Sequence, residues 1–266
     1  MRTLMRYLRL YGHFFTAQLK VMMEYRLDFL VGVFSVVLIQ FTSVFFVKVV
    51  FDQIQSLNGW SFYEVLFIYG IASTGRSIHH IFFDNLWTIG WQYIRNGEFD
   101  RFLIRPVNPL FHVIANRVQQ DGFGQLAIGL ILLLTAISHL SIVWTVGKVL
   151  LLIVMILSSG AVFVAVNLFF ATLSFWMVDS LPIVVGVFQV AEFARYPLTI
   201  FSKEIRGLLT WVIPYGFTAF YPASAFIEHS GYQSVALLTP VVAVVSCWIA
   251  YWFWGKGLRA YTSTGS

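Results

Sequence analysis

Six apolar stretches dominate the pattern of hydrophobic and polar positions along the chain. Each stretch comes close to the length of about 20 residues that a helix needs to cross the hydrocarbon core of a bilayer. They predict transmembrane helices at about residues 27–50, 62–83, 122–140, 145–177, 181–200 and 234–255. The pattern therefore predicts an all-α integral membrane protein with six transmembrane helices.

Residues 1–26 have a different pattern, in which apolar residues recur at three- and four-residue steps from Leu4 to Met22. Basic residues from Arg2 to Lys20 share another face of the same helix. A basic amphipathic helix of this kind lies in the plane of the inner membrane surface, so we predict an N-terminal interfacial helix. The alternative is a helix that packs on the protein's own polar surface.

Lysine and arginine mark the side of the membrane on which each loop lies. They occur in the N-terminal segment, in a polar insert at residues 84–121 and in the C-terminal tail, but not in the loops 51–61 and 141–144. Because cytoplasmic loops carry the basic residues, both termini are predicted to lie in the cytoplasm, with the chain in the inner (cytoplasmic) membrane. This topology places three basic residues outside the cytoplasm, namely Arg195, Lys203 and Arg206. In a rival topology, residues 205–227 form a further span and the number of spans is odd.

Composition narrows the class further. Only 11% of residues are charged, against about 25% in a soluble domain, and 59% are hydrophobic. The 266 residues form one transmembrane domain and leave no room for a soluble catalytic domain. The net charge of +5 follows from the basic loops and does not imply a nucleic-acid partner. Cys247, the single cysteine, has no partner for a disulfide.

The polar insert at 84–121 mixes charges of both signs with apolar residues and then reaches Pro106 and Pro109. This pattern predicts a short amphipathic helix from about residue 98 to 104, on which a water-soluble partner docks. The expected contact residues are Glu98, Phe99, Asp100, Arg101, Phe102, Leu103 and Arg105. The apolar anchors are expected to be Phe99 with Phe102 or Leu103, because buried aromatic side chains supply most of the energy of an interface. The alternative is a solvated loop whose charges hold the topology.

Prolines are concentrated in the last third of the chain. Pro214 and Pro222 divide residues 205–227 into pieces too short to cross a bilayer. Irregular backbone at membrane depth survives only where protein buries it or where it lines a cavity. Residues 202–231 are therefore predicted to form an outer re-entrant helical hairpin, a candidate lid or exit gate. Ordinary proline kinks in continuous helices are the alternative.

Charged and aromatic residues inside the predicted spans provide candidate site residues. Arg76 is expected to have a structural role or to pair with Asp84, because an arginine inside the bilayer is costly unless it is paired or snorkels; contact with the substrate is the alternative. Glu192 and Arg195 are expected to form a structural pair, since residues three apart meet on one helix face. The aromatic residues Phe188 and Phe193 are candidates for the lining of a substrate path.

Catalytic and metal-binding motifs find little support. The pair His79-His80 points in directions about 100° apart on a helix, and only Asp84 lies near enough to add a ligand, so no metal site is predicted. The sequence around Lys256 lacks the first glycine of a phosphate-binding loop. No Gly-x-Ser-x-Gly elbow is present. We therefore expect no catalysis and no cofactor on this chain.

Three blocks of sequence resemble permease subunits of type 2 ABC transporters, in the branch of small six-span permeases without a fused ATPase. They lie at residues 97–107, at 193–223 with Pro197, Pro214 and Pro222, and at 257–265. The resemblance implies an interfacial N-terminal helix, a cytoplasmic coupling helix between the second and third spans, and re-entrant helices between the fifth and sixth.

It also implies the activity. Such a subunit forms the path for ATP-driven export of a hydrophobic or amphipathic substrate such as a drug, lipid or peptide. Its partners are a dimer of separate ABC ATPase subunits that bind ATP and Mg²⁺, a second permease that is identical or paralogous, and the membrane lipids. Hydrolysis belongs to the ATPase, so the permease is not itself an enzyme.

Two other classes of function compete with this one. An ion- or proton-coupled transporter or channel would carry carboxylates near mid-membrane. Six acidic residues fall at or beyond the predicted span ends, namely Asp28, Glu64, Asp84, Asp121, Asp179 and Glu228. A lipid-modifying membrane enzyme would need clustered polar catalytic residues, which the sequence does not show.

Overall fold

The computed structural model describes residues 2–177 and 180–263. Its chain is 80% helical, and no strand occurs in the described ranges, where an isolated bridge joins Leu57 to Trp60. The predicted all-α class is confirmed. Asp179, together with Thr264 and Gly265 of the C-terminal block, lies outside the described residues.

The α-helices follow one another from the N-terminal amphipathic segment to the C-terminal tail, with short ones between the long ones. In chain order they are α1 (Arg2–Glu24), α2 (Arg26–Gln53), α3 (Phe62–Phe82), α4 (Asp100–Leu103), α5 (Pro109–Ala115), α6 (Asp121–His139), α7 (Val146–Thr172), α8 (Leu181–Val190), α9 (Lys203–Gly207), α10 (Phe220–Ser224), α11 (Gln233–Ala236) and α12 (Thr239–Ala260). Short 3-10 and π-helical turns extend or connect several of them.

Four helices of the described chain are long and apolar enough to cross a membrane. They are Arg26–Gln53, Asp121–His139, Val146–Phe175 and Gln233–Ala260. Each agrees closely with a predicted span, because an uninterrupted apolar run of this length has few other solutions. The chain is therefore a multi-pass membrane protein.

The other two predicted spans are different in kind. The helix α3 has 21 residues but carries Arg76, His79 and His80 near its end, and most of its residues are buried between neighbouring helices. The helix α8 has only 10 residues and continues as the 3-10 turn Ala191–Arg195. The continuous helix expected over 181–200 is therefore wrong. Pro197 explains the break, because the residue before a proline, here Tyr196, is driven into extended backbone.

Helix α3 lies against both α6 and α7, and glycines permit the close approach. A side chain at Gly129 of α6 would place its Cβ 2.8 Å from the backbone nitrogen of Thr74. One at Gly160 of α7 would lie 2.9 Å from the carbonyl oxygen of Gly75. Small residues at such crossings let membrane helices pack backbone to backbone. Helix α3 is thus the central helix of the bundle.

The two ends of the bundle can be recognised from contacts between distant segments. At one end, the Gln18 side chain of α1 donates to the carbonyl oxygen of Asn116 at 3.1 Å, and the ring of Tyr261 lies 5.0 Å from that of Phe99. At the other end, the Asn58 side chain donates to the carbonyl oxygen of Thr199 at 2.9 Å. Both termini therefore share one end with the polar insert, and the 51–61 loop lies at the opposite end.

Residues 202–231 form a series of short helical pieces, and no continuous helix in them is long enough to span a bilayer. The pieces are α9, a π-helical turn Leu208–Val212, a 3-10 turn Tyr215–Thr218, α10 and a 3-10 turn Glu228–Ser230. The first break falls at Ile213, just before Pro214. The break expected at Pro222 is wrong, because this proline lies in the first turn of α10, where no helical amide is needed. The backbone turns instead at Ala219.

Candidate functional site

The polar insert folds back on itself near its middle. The turns Asp84–Thr88 and Ile89–Ile94 carry the chain away from α3, and α4 and α5 return it towards α6. Gly97 has a φ of 73°, a left-handed conformation that a glycine adopts without strain. The turn is closed by the amide of Phe99, which donates to the carbonyl oxygen of Tyr93 at 2.9 Å.

Two aromatic side chains point into the protein, that of Phe102 on α4 and that of Phe99 directly before α4. Phe99 is 0% exposed and Phe102 is 1% exposed. The Phe99 ring lies 5.2 Å from that of Phe175 and 6.1 Å from that of Trp254. The expectation that Phe99 and Phe102 anchor a partner at the surface does not fit this burial. The Phe99 ring therefore attaches the insert to α12 and to the turn that follows α7, while the Phe102 ring packs within the insert.

The opposite face of the same segment is open. Ile104 is 83% exposed and Leu103 is 41% exposed, and Glu98 forms an ion pair with Arg101 at 3.4 Å. We call the set of Glu98, Arg101, Leu103, Ile104 and Arg105 the insert surface. Ile104 lies inside the predicted helix but was not among the expected contact residues. Its side chain is the more exposed of the two apolar side chains of the insert surface.

The helix expected over 98–104 is shorter, since α4 covers only Asp100–Leu103. Arg105 is fixed by α5, because its Nη1 lies 3.1 Å from the Nε2 of His112. Burial lowers the pKa of His112, and the charges of Arg105 and Arg101 lower it further. A neutral ring can accept the hydrogen bond from the guanidinium, so Arg105 keeps a fixed position beside the exposed apolar pair.

The C-terminal tail closes over the insert. The hydroxyl of Ser263 donates to a carboxylate oxygen of Asp100 at 2.5 Å. Burial raises the pKa of Tyr261 to about 12. The Tyr261 ring also lies 5.9 Å from that of Phe175. The insert, α7 and α12 are thus joined through one aromatic cluster.

The charged residues of the bundle interior form a second site, the ion network of Arg76, Glu192 and Arg195. The predicted contact of Glu192 with Arg195 is present, at 2.7 Å. Arg76 also pairs with Glu192 and not with Asp84, the partner named as one of its alternatives. His80, one turn further along α3, lies between Arg76 and Asp84 and accepts from the Arg76 Nε at 3.4 Å.

The four residues proposed for a substrate path or gate lie in different surroundings. Phe188 packs edge-on against Trp87 at 5.1 Å, whereas Phe193 is 46% exposed and contacts Phe201. Pro222 is buried. Pro214 lines an apolar cavity of about 440 Å³ between α7 and α12.

His79, His80 and Asp84 come closer than the sequence suggested. One ligand atom from each lies within 4.8 Å of the others. Because the Nε2 of His80 accepts from Arg76, the proton of the neutral ring is on Nδ1, the nitrogen that faces Asp84, and Nδ1 then has no lone pair for a metal. His80 and Asp84 continue the ion network towards the insert, whereas both ring nitrogens of His79 are buried without a hydrogen-bond partner among the described residues.

Comparison with known families decides the identity. The family model described as ABC-2 family transporter protein matches residues 37–265. The chain belongs to this family. The match includes the insert surface, the ion network and the 202–231 segment, and it confirms the resemblance found in the sequence. No curated protein and no solved structure matches the chain.

Membership of the ABC-2 family indicates the general function of the chain. It is a membrane component of an ABC transporter, and the family implies partnership with an ABC ATPase. Components of this type are transport subunits and are generally not catalytic themselves.

Proposed function

We propose that this chain is the permease subunit of an ATP-driven exporter and that the ATPase, a separate chain, binds the insert surface. The observation that carries the proposal is the two-sided construction of the insert. Leu103 and Ile104 face outward beside Glu98 and Arg101, while Phe99 is locked against Phe175 and Trp254.

This construction suits the transmission of force. An exposed apolar pair with a charged rim is a docking surface for a soluble protein, in which the apolar contacts supply affinity and the charges guide association. The buried aromatic cluster joins the same segment to α7 and α12. A displacement of α4 by the ATPase would therefore move the inner ends of two long helices.

The proposed topology has six crossings. To the four long apolar helices we add α3, whose 21 residues extend about 31 Å at 1.5 Å per residue, and the broken helix of α8 with its 3-10 turn. Both termini and the 84–121 insert then face the cytoplasm, and α1 lies in the inner surface of the cytoplasmic membrane.

The 202–231 segment is proposed as an outer re-entrant hairpin that gates exit. Its support is its position at the end of the bundle opposite the insert. The Trp60 ring of the 51–61 loop lies 5.5 Å from that of Phe220, and the Trp144 ring stacks on that of Phe226 at 5.8 Å. Short helical pieces buried by their own protein satisfy the requirement for irregular backbone in a membrane.

The proposed assembly contains two permeases, identical or paralogous, and two ATPase subunits that hold ATP and Mg²⁺. One bundle of six helices cannot enclose a path on all sides, and α2 has only two buried residues, Gln40 and Val47. A second permease and lipid would cover the rest of α2. The substrate is proposed to be hydrophobic or amphipathic, such as a drug, lipid or peptide, and hydrolysis occurs on the partner.

The test is capture of the ATPase by surface variants. Ile104→Asp should reduce co-purification of the ATPase and its stimulated hydrolysis in reconstituted membranes. The matched control is Val143→Asp, at a residue that is 74% exposed in the 141–144 loop at the far end, and it should change neither. Equal capture by both variants would show that the ATPase binds elsewhere.

The ion network favours one other candidate, an ion- or proton-coupled transporter that works alone. Glu192 is a carboxylate placed between two arginines within the bundle, a kind of group that proton-coupled transporters use. Transport driven by a proton gradient in vesicles that contain no ATPase would support this candidate.

A further inference from the structure

A cavity of about 490 Å³ opens at the inner end of α3, beside α8. Asp84, Trp87, Trp91, Arg117, Gln119 and Phe188 are among the residues that line it. We call it the Asp84 cavity. Its volume lies within the range of about 300 to 1,000 Å³ that is usual for small-molecule sites.

The carboxylate of Asp84 has no cation from α3 in direct contact. Its side chain is 16% exposed, and the Nδ1 of His80 lies 3.8 Å away, which is too far for a hydrogen bond. The other nitrogen of His80 accepts from Arg76, and a ring that accepts in this way carries no positive charge. Arg76 itself pairs with Glu192.

Arg117 lines the same cavity but is held away from Asp84. Its guanidinium donates twice to the side-chain oxygen of Gln119, at 3.1 and 2.7 Å. The amide nitrogen of Gln119 donates in turn to Asp121 at 3.0 Å. In the described part of the chain, no lysine or arginine nitrogen lies within 4.0 Å of the Asp84 carboxylate.

The wall beside Asp84 is aromatic. Trp87 packs against Phe188, and Trp91 is 37% exposed. The face of an indole ring attracts cations, and this attraction grows when water is excluded. A partly buried carboxylate with no described lysine or arginine in direct contact, set beside two indoles, provides what an organic cation needs.

We propose that the Asp84 cavity binds the cationic group of an amphipathic substrate, with Asp84 as its counter-charge and Trp87 and Trp91 as its aromatic wall. The apolar part of such a molecule would extend along Phe188 towards the membrane. As a statement about the cargo, this proposal rests on the proposed transport function. The binding itself does not require the ATPase.

Two probe ions of the same shape and opposite charge test the proposal. The full chain in lipid nanodiscs is titrated with tetraphenylphosphonium and with tetraphenylborate. We expect tighter binding of the cation, and a loss of about tenfold or more in its affinity in Asp84→Asn, because a charge-assisted contact is removed. Tetraphenylborate affinity should not fall in this variant. Equal binding of the two ions to the unmodified chain, or unchanged cation binding by Asp84→Asn, would overturn the proposal.

Gln119 provides a variant that leaves Asp84 in place. Gln119→Ala frees the Arg117 guanidinium to approach Asp84, so cation affinity should fall, and Gln119→Ala with Arg117→Ala should restore it. If the single variant binds the cation as well as the unmodified chain does, Gln119 does not hold Arg117 away from Asp84.

The pH dependence gives a third readout. Burial, with a smaller contribution from Asp121, raises the pKa of Asp84 to about 6 against the opposing charges of Arg117 and Arg76. The carboxylate gains a proton as the pH falls through this value, so cation affinity should decrease between pH 7.5 and 5. His80 also faces the site, and Asp84→Asn separates the two groups. The same decrease in Asp84→Asn would contradict the assignment to Asp84.

Failure here can be told apart from failure of the proposed function. Loss of ion selectivity together with intact ATPase capture refutes only the cation site. Loss of ATPase capture together with intact selectivity refutes only the coupling through the insert surface.

Discussion

Replacing Phe99 with alanine removes a ring that lies wholly inside the chain. Its neighbours are four aromatic rings, from Phe102, Phe175, Trp254 and Tyr261, at centroid distances of 5.0 to 6.1 Å. The substitution should weaken the attachment of the insert to α7 and α12. Any loss of ATPase binding would then follow from displacement of the insert surface.

The magnitude follows from the burial. A fully buried phenylalanine costs about 3 to 5 kcal/mol when it is cut to alanine, from lost burial and the cavity left behind. Phe99 is 0% exposed, so the full range applies to local opening of the insert. The comparison is Ile104→Ala, at a residue that is 83% exposed. Its cost should stay within about 0.5 kcal/mol.

The assay pairs stability with binding. Proteolysis of the insert in the reconstituted chain reports local opening, and ATPase capture reports docking. Phe99→Ala should open the insert and lose capture, whereas Ile104→Ala should leave the insert closed and still reduce capture. The contradicting result is a Phe99→Ala variant that no longer captures the ATPase although its insert resists proteolysis as well as the unmodified chain does. Phe99 would then contact the ATPase directly, and its burial would not describe the bound state.

Three further predictions concern the rest of the bundle. Glu192→Gln should destabilise the bundle, because it leaves two arginines without their shared partner. Breaking a fully buried ion pair costs about 3 to 5 kcal/mol of unfolding free energy. Because the Glu192 side chain is 38% exposed, we expect a loss of about 1 to 3 kcal/mol here. Thermal unfolding in detergent measures this, and an unchanged midpoint would show that the network contributes nothing. Ser202→Cys, in a background without the native cysteine, should react with a membrane-impermeant reagent from outside, and buried Ser224→Cys should not. Reaction of Ser202→Cys only from the cytoplasm would show that the proposed topology is reversed. Gly160→Leu should disrupt the crossing at Gly75 and lower the yield of folded protein, and normal folding of this variant would mean that the two helices separate easily.

The long spans could be predicted because apolar continuity determines them locally. The contact between Glu192 and Arg195 could be predicted for the same reason, since it joins residues three apart on one turn. The partner of Arg76 could not be predicted, because Glu192 lies 116 residues away in sequence. The distance between these residues is set by the packing of α3 against the segment after α8, which no local pattern encodes.

The anchors of the insert show the same limit. A short amphipathic segment has an apolar face, but the sequence does not say whether this face meets a partner or the protein itself. Phe99 points inward because its ring packs against those of Phe175 and Trp254, which are distant from it in sequence. The face left outside is that of Leu103 and Ile104.

The most direct test of ATPase binding at the insert surface is a cross-link from position 104. Ile104→Cys, in a background without the native cysteine, is assembled with the ATPase and treated with a short bifunctional reagent, and the product is identified by mass spectrometry. The control is Leu134→Cys, which is 67% exposed on the apolar span α6. We predict a cross-link to the ATPase from position 104 and none from position 134. An active complex that gave no cross-link from position 104, with cross-links from another surface of the chain, would contradict the proposed coupling site.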